Sequence, residues 1–265
     1  MYTPFQLAKK YIRYYFTASD GRGHGVHSPF VFDFIKNVLT DKKKYACYAA
    51  IEKQRHYLLQ NRGVITVEDF GAGSGVMKSN KRMIKDIAAS SLKPKKFAQL
   101  LFRIAQYYRP VTIIELGTSL GITTAYLAHG NEAGKVFTCE GSFSIAAIAH
   151  QTFADLQIKN IRLAKGDFAK TLQPLLNEIG NIDLAFIDGN HRKDPTLDYF
   201  TKLLHHSTSS TILIFDDIHW SEEMEAAWNK IRQHPSVTLT IDLFFIGLVF
   251  INPDFKIKQH FIIRF

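Results

Sequence analysis

The hydrophobic pattern of the chain changes character at Pro110. Beyond it, short β-branched runs alternate with stretches of helical period. VTIIELG precedes ITTAYLAHG, KVFTCEG precedes SIAAIAHQTFADLQI, and IRLAKGD precedes FAKTLQPLLNEIG; IDLAFIDG precedes PTLDYFTKLLHH, and TILIFDD precedes EEMEAAWNKIRQH. Apolar runs alternating with helices in this way predict βαβ units and a parallel sheet covered on both faces. The end breaks the alternation. VTLTIDLFFIGLVFIN reads as two strands with a short break, so the last pair is expected to be antiparallel, and FKIKQHFIIRF offers one more edge strand.

Before Pro110 the period is helical and irregular. SPFVFDFIKNVL opens with Ser28 as a cap and Pro29 in the first turn. KYACYAAIEKQRHYLLQNRG ends in Gly63, and KPKKFAQLLFRIAQYYRP leads straight into the first strand. The expected organisation is a helical cap over residues 1–92 packed on an α/β domain over residues 93–265.

Composition adds three constraints. No apolar run is long enough to span a bilayer, and the basic residues inside MYTPFQLAKKYIRYYF argue against a signal peptide. Cys47 and Cys139 are the only cysteines, without metal-ligand spacing, so a reduced, cytoplasmic setting is expected. The net charge of +9 is uneven: up to Arg109 there are 20 Lys and Arg against 7 Asp and Glu, and beyond it 13 against 17. Lys42, Lys43 and Lys44, like Lys95 and Lys96, read first as solvated surface, with RNA or another anion as the alternative partner. The aromatics of KKYIRYYF read as the buried face of an amphipathic helix rather than a stacking platform.

Two glycine loops, VEDFGAGSG and IIELGTSLG, compete for a cofactor. A doubly wound sheet needs a strand, a tight glycine turn and a helix whose first amides face the ligand. A second strand must then end in an acid about 20 residues on, where it can take ribose hydroxyls. IIELGTSLG meets these conditions with Gly117, Gly121, the following helix and Glu140. VEDFGAGSG leads into a basic stretch with no second strand, so it reads as a turn in the cap, and Glu68 and Asp69 receive no ligand role. In the favoured loop Ser119 replaces the middle glycine of a dinucleotide fingerprint and Glu115 sits two residues before the turn. A carboxylate there repels a pyrophosphate and suits a positively charged group. A nucleoside with an amino-acid tail, S-adenosylmethionine (SAM), matches both acids.

Through KPKKFAQLLFRIAQ, IELGTSLGITTAYLA, FTCEGS, LAKGDF, IDLAFIDGNH and LIFDDIHW, in that order, the chain resembles the class I SAM-dependent methyltransferases. It is most similar to the metal-dependent O-methyltransferase branch with the catechol and caffeoyl-CoA enzymes. The resemblance implies a Rossmann-like, doubly wound, seven-stranded sheet with an antiparallel last strand. It implies cofactor contacts from Glu115, Gly117, Thr118, Ser119, Gly121, Glu140, Gly141, Ser142, Gly166, Asp167, Phe168 and Asp188. It also implies a divalent ion, Mg²⁺ or Ca²⁺, on Asp188, Asp216 and Asp217. These carboxylates fall at C-terminal strand ends and would repel one another without a shared cation.

Histidine supplies the candidate bases. His191 stands three residues after Asp188, where the resembling enzymes place a lysine, and His219 follows the acid pair. Trp220 is a candidate for the acceptor pocket or for packing, and His24 and His27 lack a carboxylate cluster that would make them metal ligands. Asp167 serves equally as a helix cap or an adenine contact. GTSLG also fits the nucleophile elbow of α/β-hydrolases with Ser119 as nucleophile, but that fold needs several strands before the elbow. The expected activity is O-methylation of a small hydroxylated acceptor, with an RNA methyltransferase as the alternative and a second copy of the chain as a further candidate partner.

Overall fold

The computed structural model describes residues 1–21, 23, 26–68 and 80–265. His24 and residues 69–79, which include Asp69 and the glycines of VEDFGAGSG, lie outside the described residues. The chain divides into two compact units, one of residues 42–179 and one of residues 1–41 with 180–265. The expected segment 1–92 therefore contributes to both.

The unit of residues 42–179 begins with helix α3 (Cys47–Gln60), an antiparallel hairpin of β1 (Val64–Thr66) and β2 (Lys81–Met83), and α4 (Ile84–Ser91). Helix α5 (Lys95–Tyr108) follows, strongly amphipathic, with Leu100, Leu101 and Ile104 fully buried. Then the alternation read from the sequence sets in: β3 (Thr112–Leu116), α6 (Ile122–Gly130), β4 (Lys135–Glu140), α7 (Phe143–Asp155), β5 (Ile161–Lys165) and α8 (Phe168–Ile179). β3, β4 and β5 are parallel neighbours in that order. Ile51, Leu58, Ile84 and Ile87 from the N-terminal helices share one apolar cluster with Phe102, Ile122 and Tyr126. Burial of such side chains contributes roughly 1.5–3 kcal/mol each, so α3 and α4 are part of this unit's core. α5 and α6 cross closely at Gly130, where a Cβ would stand 2.5 Å from that of Ala105.

The other unit opens with α1 (Pro4–Thr17), whose N-cap Thr3 forms a reciprocal capping box with Gln6. Helix α2 (Pro29–Phe34) is capped by Ser28 and runs into a π-helical turn at Ile35–Leu39. After residue 180 come β6 (Ile182–Ile187), α9 (Lys193–His205), β7 (Ser207–Asp216), α10 (Glu222–Gln233), β8 (Leu239–Asp242), β9 (Ile246–Phe250) and β10 (Gln259–Ile262). β6 and β7 are parallel, β9 is antiparallel to both β7 and β8, and β10 lies parallel along β8.

Together the units carry the eight strands of a mostly parallel, Rossmann-like sheet. The expected seven become eight because QHFI, with alternating burial, adds β10 at the edge. The antiparallel strand is β9, whose residues are all buried. No helix among the described residues is long and apolar enough to cross a membrane.

Candidate functional site

The first constellation is built entirely on residues 42–179. β3 delivers Glu115 and then breaks into the turn Gly117 to Gly121, in which Gly117, Ser119 and Gly121 all have positive φ, at 103°, 48° and 84°. Gly121 has no steric alternative: a Cβ there would lie 2.6 Å from the Phe153 ring. The turn closes onto the end of β4, with the amides of Gly117 and Thr118 donating to the Cys139 carbonyl at 3.0 and 3.1 Å. The Thr118 and Thr138 hydroxyls share a hydrogen bond of 2.6 Å. The parallel register of β3 and β4 thus sets the glycine turn beside Glu140.

Glu140 is held from both sides. Its Oε2 accepts the Ser119 amide at 2.8 Å and its Oε1 the Ser142 amide at 3.0 Å. Burial raises its pKa, while these amides and that of Gly141 favour the charged form. A carboxylate accepts about four hydrogen bonds, so Glu140 keeps acceptor capacity for a ligand hydroxyl beyond these amides. Ser142 caps α7, Gly166 donates its amide to the Glu140 carbonyl at 2.8 Å, and Asp167 caps α8 through the Ala169 amide at 3.0 Å. Phe168 is the first residue of that helix. The capping role read for Asp167 is therefore realised.

Glu115 is fully buried. Its Oε2 accepts the hydroxyls of Thr124 and Thr138, whereas its Oε1 accepts no hydrogen bond from the described residues. Burial pushes its pKa up to about 7, against the two hydroxyls, and Glu140 adds to the rise. A buried carboxylate oxygen without a donor beside a glycine turn fits the ammonium of an amino-acid tail, and the free capacity of Glu140 fits a ribose. The residues present thus fit SAM. A pH dependence follows for the ligand-free protein. Its folded value lies above the ordinary 4.5, so the fold retains a proton that the unfolded chain has lost. Stability should fall as pH rises from 4.5 to about 7 and stay low above it. The loss is on the order of 3 kcal/mol at most. Thermal melts should show this decline in the wild type and a flatter profile in Glu115→Gln; parallel profiles would contradict it.

Two residues that sequence reasoning left out join this constellation. Glu68, from the loop given no ligand role, accepts the Ser142 hydroxyl at 3.0 Å and the Phe143 amide at 3.2 Å through Oε2. Ser91, at the end of α4, shares a 2.7 Å hydrogen bond with the Ser119 hydroxyl. The acid before the first glycine loop was a visible signal, but nothing in the sequence says that it meets residues 74 positions later. Ser119 is bonded to another serine and its amide is committed to Glu140, and no described histidine is hydrogen-bonded to it as a hydrolase would need.

The second constellation lies on the other unit. β6 and β7 pair with Ile187 opposite Phe215, which places Asp188 and Asp216 side by side just past the last paired rungs. His191 Nε2 stands 3.5 Å from Asp188 Oδ1. One donor atom each from Asp188, His191 and Asp216 falls within 4.8 Å of the others, and two carboxylates with an imidazole are a donor set that suits a divalent ion. Asp217 is outside this group. It takes φ 52° and donates its amide to the Phe245 carbonyl at 2.7 Å, turning the chain toward Trp220.

His219 points elsewhere. Its Nδ1 faces Glu225 Oε1 at 3.0 Å and its Nε2 faces Asp242 Oδ2 at 2.8 Å, with the ring stacked on Phe244. Burial alone would lower its pKa, but the two carboxylates carry it above the ordinary value. Glu225 also takes the Tyr2 hydroxyl at 2.7 Å and Lys10 at 3.0 Å, which ties α1 to the start of α10. With both nitrogens engaged, this imidazole has no lone pair open to a substrate proton.

A glycine turn flanked by two acids, at the C-terminal edge of a Rossmann-like sheet with one late antiparallel strand, defines the class I SAM-dependent methyltransferase fold. Residues 114–218 match the family model described as methyltransferase domain. The matched stretch includes Glu115 and Glu140 of the first constellation and Asp188, His191 and Asp216 of the second. Its fold is similar to an O-methyltransferase of Bacillus cereus in complex with S-adenosylhomocysteine (SAH), with a TM-score of 0.56 and 19% identity over 83% of this chain and 97% of that one. It is also similar to an SAH-bound methyltransferase of Podospora anserina, with a TM-score of 0.60 and 13% identity over 85% and 97% of the two chains. A tRNA (guanine-N(7)-)-methyltransferase of Mycoplasma mobile is 35% identical over 77 residues, which cover 29% of this chain and only 38% of that protein.

Proposed function

We propose that the protein transfers the methyl group of SAM to a hydroxyl of a small acceptor with the help of a divalent ion. The reading rests chiefly on the pairing of Glu115 and Glu140 across the Gly117–Gly121 turn. Glu140 accepts the ribose hydroxyls, and the buried Oε1 of Glu115 takes the ammonium. Gly117, Thr118, Ser119 and Gly121 form the floor of the turn, and Gly141, Ser142, Gly166, Asp167 and Phe168 border the adenosine. The segment of residues 1–92 thereby serves the cofactor site through Glu68 and Ser91.

SAM carries its own leaving group, so the chain must position an acceptor and dispose of one proton. We assign the ion to Asp188, Asp216 and His191, with Asp217 shaping the loop. The imidazole moves the choice from oxygen-only Mg²⁺ or Ca²⁺ toward Mn²⁺ or a similar ion. An acceptor hydroxyl acidified by a metal needs no strong separate base. This assigns His191 to holding the ion and His219 to anchoring α1. A small acceptor agrees with the kinds of protein the fold resembles. The basic excess before Arg109 and the partial match to a tRNA methyltransferase favour RNA as the second reading. Calorimetry with SAM tests the cofactor, and transfer of a labelled methyl group to phenols, sugars and tRNA tests the acceptor. No heat of SAM binding at millimolar concentration would overturn the proposal, and labelling of tRNA alone would replace the first reading by the second.

A further inference from the structure

Helix α1 has two apolar faces; one is packed, and the other is met only at Tyr15, over whose ring the Arg264 guanidinium lies at 4.4 Å. At about 100° per residue, Leu7, Tyr11 and Tyr14 share the inner face. Tyr14 is buried and its hydroxyl donates to the Ile263 carbonyl, while the Phe265 amide donates back to it at 3.2 Å. The Tyr11 ring meets Phe244 edge-on at 5.1 Å. Lys10 is fixed on Glu225 at 3.0 Å, and the Tyr2 amide donates to the Trp220 carbonyl at 3.1 Å. These bonds prevent the helix from rolling about its axis.

On the opposite side Phe5, Ala8, Ile12, Tyr15 and Phe16 fall within a sector about 100° wide. Phe5 is 81% exposed, Phe16 78%, Ile12 56% and Tyr15 44%. Scattered exposed apolar residues are ordinary, but a continuous stripe on a locked helix marks an interaction surface. Lys9 and Arg13, both exposed, border the stripe, and α1 has no acidic residue.

We infer that this face lies on an anionic lipid surface, with the axis of α1 parallel to it and Phe5, Ile12 and Phe16 inserted among the acyl chains. A basic edge along an apolar sector is what such a surface complements. A second copy fits less well. A stripe about 17 Å long, at 1.5 Å per residue, falls well short of the roughly 800 Å² per partner of a stable interface. Symmetric pairing would also set Lys9 and Arg13 against their own kind. This contact lies on the membrane and does not cross it. It is independent of the methyl-transfer reading, because none of these residues belongs to either constellation.

Sedimentation of the full chain with vesicles tests it. Wild type should pellet with phosphatidylcholine vesicles containing phosphatidylglycerol and hardly at all with pure phosphatidylcholine. The triple variant Phe5→Gln, Ile12→Gln, Phe16→Gln, of unchanged net charge and melting temperature, should lose at least tenfold in affinity. Lys9→Glu with Arg13→Glu should weaken binding and flatten its salt dependence. Equal binding by the triple variant would reduce the effect to the general charge of the protein. Absence of wild-type binding would overturn the inference, as would a wild-type dimer that the triple variant fails to form, or stripe-dependent binding of tRNA in place of vesicles.

Discussion

Glu140→Ala should lower the affinity for SAM by tenfold to more than a hundredfold while the protein still folds. Among the described residues, this is the one carboxylate that meets the glycine turn and the start of α7 at once, through the amides of Ser119 and Ser142. Each hydrogen bond to a charged acceptor contributes roughly 1.5–3 kcal/mol, and about 1.4 kcal/mol is a factor of ten. Glu68→Ala should produce a smaller loss, several-fold, because it removes the acceptor that steadies Ser142 and Phe143 and not a ligand contact. Glu68→Gln, whose amide oxygen still accepts, should recover most of it. Glu178→Ala, which breaks only an exposed pair with Arg162, should leave binding unchanged. Titration calorimetry reads all four. An unaltered affinity in Glu140→Ala would remove the cofactor assignment, and an unaltered affinity in Glu68→Ala would return that acid to the surface.

The second large effect concerns the ion. Excess EDTA should reduce methyl transfer by at least two orders of magnitude while SAM binding, which depends on the other constellation, persists. The loss is large because a hydroxyl that is neither acidified nor oriented is a poor nucleophile at neutral pH. Asp216→Asn should reproduce it, since one of the two anionic ligands proposed for the ion is gone. His191→Ala should weaken metal binding itself, measured by titrating Mn²⁺, whereas a residue acting only as a base would leave that affinity intact. Asp217→Ala should alter metal binding little. Full transfer in EDTA would dismiss the ion and leave Asp188 and His191 as an acid–base pair.

The pattern of the chain after Pro110 was sufficient to read the order of strands and helices, because the central strands β3, β6 and β9 are almost wholly buried and α6, α7 and α10 begin at a glycine or a capping serine. Glu115 and Glu140 were legible for the same local reason: both stand at fixed distances from one turn. Contacts closed by distant segments were not legible. Glu68 reaches Ser142, and His219 finds Asp242 and Glu225, only because the fold brings those segments together. His191 had the right spacing from Asp188 to be placed beside it, but its inclusion with Asp216 depends on strand register. The N-terminal residues gave the weakest signal. A helical period reports that a face is buried but not against what, and α1 and α3 bury theirs in different units.

That division has a consequence for the order of events during synthesis. Residues 42–179 can complete their contacts as a continuous stretch of chain. Helix α1 emerges ahead of them yet has nothing to hold until its partners follow: Lys10 waits 215 residues for Glu225, and the Tyr14 hydroxyl waits 249 for the Ile263 carbonyl. Contacts so far apart in sequence are slow to close, because the entropy of the intervening loop is lost before they form. The amides of α7 should therefore become protected in pulsed hydrogen exchange well before those of α1. Throughout that interval a nascent helix with two apolar faces stands open to chaperones, made long before the partners it docks on.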